Sequence, residues 1–202
     1  ILNFSSKFDN DADFITADGG FDFSYNFNKQ EQLSYRIIFC EVVTALHIQK
    51  KGGCFICKFY DMYTYVTASI IYLLSSLYDY VYMDKPYTSR PANSEKYIIC
   101  RGFKGIEPEY LKKLDIVVKI LGFIENEKMF LTQIFDIDIN NDIYEKLNKV
   151  NTHFFNTQIN NIIKTINIIE MDKNNTLEKT SIIKKQTTYA FSWCKKYTCK
   201  IN

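Results

Sequence analysis

Apolar positions along the chain follow two periods. From Asn28 to Gln49 they recur at helical spacing, through Leu33, Ile37, Cys40, Val43 or Thr44 and His47, which predicts an amphipathic helix. Lys50-Lys51 suit the negative end of that helix, and Gly52-Gly53 supply a stop. Short apolar runs read as strands: Asp13 to Ala17, a short buried strand closed by Asp18-Gly19-Gly20; Cys54 to Phe59; Tyr80 to Lys85; and Lys96 to Cys100. Tyr63 to Leu77 is apolar on most sides and predicts a buried helix. Phe21 to Asn28 has no period and is expected to be a loop, as is the Pro/Ser/Asn-rich segment Pro86 to Ser94.

Strand, helix, strand, helix, strand, loop, strand is the order of an open α/β sheet. No helical stretch separates the last two strands, so the final one is expected to run antiparallel to its neighbour. The character changes after Gly105. Pro108 opens a helix to about Leu121, with Glu107 and Glu109 at its positive end. Phe130 to Ile137 predicts a strand, and Asn140 to Met171 and Leu177 to Tyr197 predict helices. The expected division is residues 1–105 as an α/β unit and 106–202 as a mostly helical extension packed on it.

Composition narrows the classes. Apolar residues make up 47% of the 202 positions, enough for a sizeable core. The net charge of +2 excludes a polybasic chain, so a nucleic-acid site must be local or work by shape. No apolar run is long enough for a membrane span, and no signal peptide is visible. The six cysteines show no disulfide framework, which points to reduced thiols and an intracellular location. Cys54-x-x-Cys57 has zinc-like spacing, but residues three apart on a strand point to opposite faces, and no metal site is expected. His47 lies on an apolar stripe and reads as a satisfied core or cap residue. The aromatic loop of Phe21, Phe23, Tyr25 and Phe27 suits either stacking on bases or packing under the following helix.

Ligands of open α/β sheets gather at the C-terminal ends of the parallel strands. Asp18 lies just beyond the first strand, Lys58 at the end of the second and Glu95 at the mouth of the last, so three charged groups converge on one sheet edge. Lys58 ends an otherwise apolar strand. Burial there is expected to lower its pKa and make it a candidate general base for a hydroxyl, with Asp18 and Glu95 as positioning groups.

These segments carry a resemblance. ADGGFDFS (Ala17 to Ser24), GGCFICKFYD (Gly52 to Asp61) and KPYTSRPANSEKYIICRGFK (Lys85 to Lys104) resemble the FtsJ-like RNA ribose 2′-O-methyltransferases, and most closely their cap-specific branch in eukaryotes and large DNA viruses. The resemblance is strong from about Asp13 to Gly105 and weaker beyond; Tyr189 to Cys194 is similar to the end of the same catalytic unit. It implies the C-terminal half of a Rossmann-like methyltransferase sheet followed by a helical tail. It implies S-adenosylmethionine as cofactor and capped RNA as substrate, with other capping or transcription proteins as candidate partners, in the nucleus, the cytoplasm or a viral factory or virion. Asp18, Lys58 and Glu95 would be three members of a Lys-Asp-Lys-Glu tetrad, and Asp18 would also lie at the cofactor. Ser89, Arg90, Asn93 and Ser94 would contact the RNA sugar and phosphate. The family's first lysine, its glycine-rich cofactor loop and the acidic residues for the cofactor ribose have no counterparts in these 202 residues. That absence implies poor cofactor binding and no turnover by this stretch alone. A ribosomal or transfer RNA methyltransferase, and a non-catalytic RNA-binding module, remain alternatives; Gly19-Gly20-Phe21 departs from the Ala-Pro-Asn type of ribosomal-RNA members.

Overall fold

A computed structural model describes residues 11–23, 26–123, 130–174 and 179–199. Two compact units are distinguished, residues 1–158 and 159–202. The first holds a four-stranded mixed sheet in the order β1-β2-β4-β3, with β1 at Ala12–Ala17, β2 at Gln49–Phe59, β3 at Tyr78–Asp84 and β4 at Lys96–Phe103. The crossovers are helical: α1, Gln30–Ile48, joins β1 to β2, and α2, Tyr65–Leu77, joins β2 to β3. A single 3₁₀ turn, Phe27–Lys29, precedes α1. The strands β1 and β2 are parallel, and β4 inserts between β2 and β3 antiparallel to both. The expected α/β order and the antiparallel last strand are therefore present.

Both crossovers step across the sheet in one direction, so the right-handed rule places α1 and α2 on the same face. That face holds the core. Phe55, Cys57, Ile98 and Cys100 alternate inward and pack under Phe39, Val42, Val43, Ile70 and Leu74, all at most 1% exposed. The opposite face, traced by the register through Phe14, Cys54, Ile56, Lys58, Tyr97, Ile99, Tyr80 and Tyr82, is nowhere fully buried. No described element of this unit packs on it. Tyr80 and Tyr82 stack there at 6.2 Å between ring centroids, and Phe14 is 61% exposed. The expected buried first strand is thus corrected. Among the described residues β1 pairs only with β2, and its outer edge and one face meet solvent.

Two further expectations change. The helix α1 ends before the glycines, because Gln49 is already extended at φ −82°, ψ 133°. Gln49 is drawn inward, where the Tyr78 hydroxyl donates to its Oε1. The strand β2 then runs through Gly52-Gly53. Gly52, at φ +84°, absorbs the irregularity where the β1 register steps from Ala12↔Gln49 to Phe14↔Cys54. Residues 130–140 form no strand. Ile134, Phe135, Ile137 and Ile139 pack onto the core instead, with Phe135 5.9 Å from Phe39 and the Ile137 carbonyl accepting from the Tyr65 hydroxyl.

Helix α3, Pro108–Phe123, lies against α1, tied by His47 Nε2 to Asp115 Oδ1 at 2.7 Å and by Arg36 Nη2 donating to the Leu121 carbonyl at 2.6 Å. His47 is thus a satisfied polar contact. The first half of α4, Asn141–Lys173, belongs to this unit too: Asn151 donates to the Met62 carbonyl at 2.7 Å. The change of composition near Gly105 does not coincide with the division between the units. The second unit comprises the remainder of α4 and α5, Lys179–Lys196, which carries the Tyr189 to Cys194 segment. The six cysteines are free thiols, and Cys54 and Cys57 lie on opposite faces of β2 as the strand period requires. No described helix is long and apolar enough to cross a membrane.

Candidate active site

Parallel pairing brings the ends of β1 and β2 side by side, and the residues just past those ends form the site. Ala17 pairs with Cys57, so Asp18 and Lys58 are adjacent. Lys58 Nζ lies 2.6 Å from Asp18 Oδ1 and donates to the Asp18 carbonyl at 3.3 Å. The lysine side chain is 13% exposed and the aspartate 65%, so the pair is buried from the lysine side and open from the other. The expected lowering of the Lys58 pKa is corrected. Burial pulls it down and is the largest single influence, but the hydrogen bond and charge of Asp18, with Tyr60, outweigh it and raise the pKa above the usual value. In this state Lys58 holds its proton.

The turn that carries Asp18 is fixed from α1. The Gly19 amide donates to Glu41 Oε1 at 2.7 Å. A Cβ on Gly19 would sit 2.4 Å from that oxygen and 2.5 Å from Ile37 Cδ1, so a larger residue would have to displace the Glu41 carboxylate and the Ile37 methyl. Glu41 Oε2 also accepts from Cys57 Sγ at 3.7 Å, and burial raises the Glu41 pKa despite both hydrogen bonds. Gly20 leaves room for the Tyr60 hydroxyl and the Lys58 ammonium, 3.0 and 3.4 Å from where a Cβ would stand.

Glu95 enters from the other side. The strand register places Tyr97 opposite Lys58, with Glu95 two residues before Tyr97. The Tyr97 hydroxyl donates to Glu95 Oε1 at 2.6 Å, and Asn93 Nδ2 donates to Oε2 at 3.0 Å. Burial first, and the Glu95 carboxylate next, push the Tyr97 phenol well above its ordinary range. Glu95 is thus held by Asn93 and Tyr97 rather than by Lys58. Tyr60 lies between the two halves: the Lys58 ammonium is 5.6 Å from its ring centroid, and its phenol is raised by burial while feeling the charges of Lys58, Glu95 and Asp18.

The loop from Pro86 to Ser94 is organised by Lys85, a residue to which sequence reasoning gave no role. Its ammonium donates to Ser89 Oγ at 3.3 Å, the Asn93 carbonyl at 3.1 Å, Asn93 Oδ1 at 2.6 Å and the Glu95 carbonyl at 2.6 Å. Burial lowers its pKa. Ser94 is turned inward, its hydroxyl donating to Gln30 Oε1 at 2.8 Å. Of the four expected RNA contacts, then, Ser89 and Asn93 have side chains engaged by Lys85, and Ser94 is engaged by Gln30 of α1. Arg90 is exposed and lines a cleft of about 860 Å³ beside the site. Phe21, Phe27, Tyr60, Tyr63 and Glu95 also line it. The aromatic loop therefore divides: Phe23 is buried 5.2 Å from the Tyr60 ring centroid, whereas Phe21 and Phe27 are 61% and 66% exposed. Tyr25 lies outside the described residues.

Two buried charges missed in the sequence support this wall. Glu31, 7% exposed, accepts from the Tyr63 amide at 3.0 Å and from the Thr64 amide and hydroxyl, each at 2.8 Å, anchoring the start of α2. Lys96, 5% exposed, donates to the Ser94 carbonyl at 2.8 Å and to Asp61 Oδ1 at 3.1 Å. Glu31 sits in the polar run Asn28 to Gln32 and Lys96 follows Asn93-Ser94-Glu95, so neither stands out from its neighbours in the sequence.

Comparison with known proteins bears on this arrangement. The family profile described as FtsJ-like methyltransferase matches residues 2–103. The cap-specific mRNA (nucleoside-2′-O-)-methyltransferase 1 of Mus musculus is 34% identical over 154 residues, covering 75% of this chain and 18% of that protein. The corresponding protein 1A of Caenorhabditis briggsae is 44% identical over 105 residues, 50% of this chain and 12% of that one. That of Danio rerio is 45% identical over 91 residues, 45% and 11%. The chain spans only these small fractions of its curated relatives. A solved ribosomal RNA methyltransferase of Plasmodium falciparum aligns at 20% identity over 52% of this chain and 54% of that one, with a TM-score of 0.37, too loose a superposition to carry an argument.

Proposed function

The chain belongs to the FtsJ-like methyltransferases, and from that premise we propose that it serves S-adenosylmethionine-dependent methylation of the ribose 2′-hydroxyl in mRNA caps. Its strands then form the later part of a Rossmann-like methyltransferase sheet. The observation that carries the reading is the Lys58–Asp18 pair at 2.6 Å, held at adjacent parallel strand ends beside an aromatic cleft.

S-adenosylmethionine, when bound, supplies a methyl group activated by a sulfonium. An exposed carboxylate at a strand end suits a neighbouring cation, so Asp18 is the residue here that would lie against it. Lys58 is the proton acceptor for the ribose hydroxyl, and it must first give up the proton that Asp18 helps it retain. Asp18 shared with a second cation would hold the Lys58 proton less firmly, and Lys58 would release it to solvent before accepting the ribose proton. Glu95, fixed by Tyr97 and Asn93, orients the sugar, and Arg90 at the cleft rim takes a phosphate; such contacts position the strand without reading sequence. Phe21 and Phe27 offer exposed rings for base stacking. Most of the rate gain comes from alignment, since the methyl group is already activated. Capped RNA places this activity in the nucleus, the cytoplasm or a viral factory.

The test is transfer of a labelled methyl group to cap-0 RNA by the longest polypeptide the source transcript encodes. Lys58→Ala is expected to abolish transfer and leave cofactor affinity within a few-fold. Substantial residual transfer in that variant would remove Lys58 from the mechanism.

A further inference from the structure

A second cavity, of about 510 Å³, opens where α3 meets the lower end of the sheet. It involves none of the groups described above. Its apolar lining includes Leu73 and Leu77 from α2, Leu114 and Val117 from α3, and Phe135. Tyr110, 60% exposed, stands at the edge. The surface continues along α3 past Lys113 to Ile116 and Ile120, which are 55% and 54% exposed one helical turn apart. Concave, largely apolar sites of this size are the usual form of a binding pocket.

The rim is basic. Lys51 and Lys104 line the cavity, and among the described residues neither has a carboxylate within salt-bridge distance. Lys51 lies across Gly105, where a Cβ would come within 2.7 Å of its Cε, so the backbone makes way for the lysine. Against these two lysines stands Glu107; Glu109 is neutralised by Lys113 at 2.9 Å and Asp115 by His47. An apolar floor with two lysines, Lys51 and Lys104, at its rim favours an occupant that is apolar on one side and anionic on the other.

We infer that this cavity and the adjoining face of α3 dock an acidic amphipathic helix of a partner protein. Its apolar residues seat on Leu77, Leu114 and Val117, and its carboxylates face Lys51 and Lys104. RNA is disfavoured because the lining is mainly aliphatic, with Leu73, Leu77, Ile106, Leu114 and Val117 against a single exposed ring, Tyr110. A second copy of the chain is disfavoured because a two-fold contact would set lysines against lysines.

The experiment titrates the ¹⁵N-labelled 202-residue chain with a fluorescein-labelled 16-residue helix of leucines at i, i+3, i+4 and i+7 flanked by glutamates. Controls are a scrambled peptide, a lysine-for-glutamate peptide and a cap-0 oligoribonucleotide. Binding is expected at a Kd of about 10–100 µM, with shift changes confined to Lys51, Leu73, Leu77, Phe135 and residues 104–120. Lys51→Glu with Lys104→Glu should weaken it tenfold or more, and Tyr110→Ala severalfold. These positions are exposed, so an unchanged thermal melt is the expected folding control; if the double reversal fails to fold, Tyr110→Ala and the lysine peptide decide. No saturable binding below 1 mM, or equal binding of the scrambled peptide, overturns the inference. So does competition by the oligoribonucleotide for the same shifts, or a sedimenting dimer that Tyr110→Ala dissolves.

Discussion

The Gly19 amide donates to Glu41 Oε1 at 2.7 Å, one residue beyond Asp18. A side chain of α1 thereby fixes the turn that aims the aspartate. Burial raises the Glu41 pKa, so the folded state binds that proton more tightly than the unfolded chain does. The associated stability is present below the unfolded carboxyl pKa and is lost as pH rises through the folded one. Glu41→Gln keeps an acceptor for Gly19 and removes the buried charge. It is expected to melt at or above the parent temperature at pH 8, with the difference closing on acidification. Glu41→Ala should lose about 1–2 kcal/mol. Thermal melts at pH 4, 6 and 8 check both.

Lys58 titrates above the usual lysine range because Asp18 and Tyr60 outweigh its desolvation. Asp18→Asn removes the carboxylate and leaves the desolvation, so the Lys58 pKa is expected to fall. Heteronuclear NMR on the lysine Cε resonance reads this directly. The sign carries a stability consequence. The ion pair contributes fully below the unfolded lysine pKa and is lost as pH rises through the higher folded value. In urea melts the Asp18→Asn deficit should therefore be flat from pH 6 to 9 and shrink only in strong alkali.

Lys85 gathers Ser89, Asn93 and the Glu95 carbonyl around one ammonium. Lys85→Met keeps the length of the side chain and deletes the donor, leaving partly buried acceptors unsatisfied at a cost of about 1–3 kcal/mol. Limited chymotryptic cleavage after Tyr87, an exposed residue of the loop, should accelerate in this variant while the β-sheet circular dichroism stays constant. An unchanged cleavage rate would mean that the loop is ordered by other contacts.

Glu31 accepts the amides of Tyr63 and Thr64 where α2 begins. Thr64 is the N-cap, its side chain accepting from the Thr67 amide at 3.2 Å, so Glu31 reinforces the cap from outside the helix. Glu31→Ala orphans two backbone donors at a buried position and is expected to cost about 3 kcal/mol. Hydrogen exchange should show the loss first at Thr64 to Ala68.

The order of the elements was legible because each crossover helix and strand is long enough to display its period. Asp18, Lys58 and Glu95 were legible as a convergence because strand ends place them on one edge. The proton affinity of Lys58 was not. It depends on a 2.6 Å distance that decides whether desolvation or the carboxylate prevails. Residues 130–140 misled because Phe135, Ile137 and Ile139 alternate with Asp136 and Asp138 as a strand would, while a helix surface rather than a sheet edge receives them. Lys85, Glu31 and Glu41 were missed because each acts through backbone groups, which leave no signature in the identity of their partners.

Among the described residues of the first unit the helices cover one face of the sheet, and Lys58 rises from the other, in line with Ile56 and beside Tyr97. Its acidity is therefore set by the surroundings of that face as well as by Asp18. Any layer laid over Phe14, Ile56, Ile99, Tyr80 and Tyr82 would strip water from the ammonium's neighbourhood and tilt the balance toward the neutral amine.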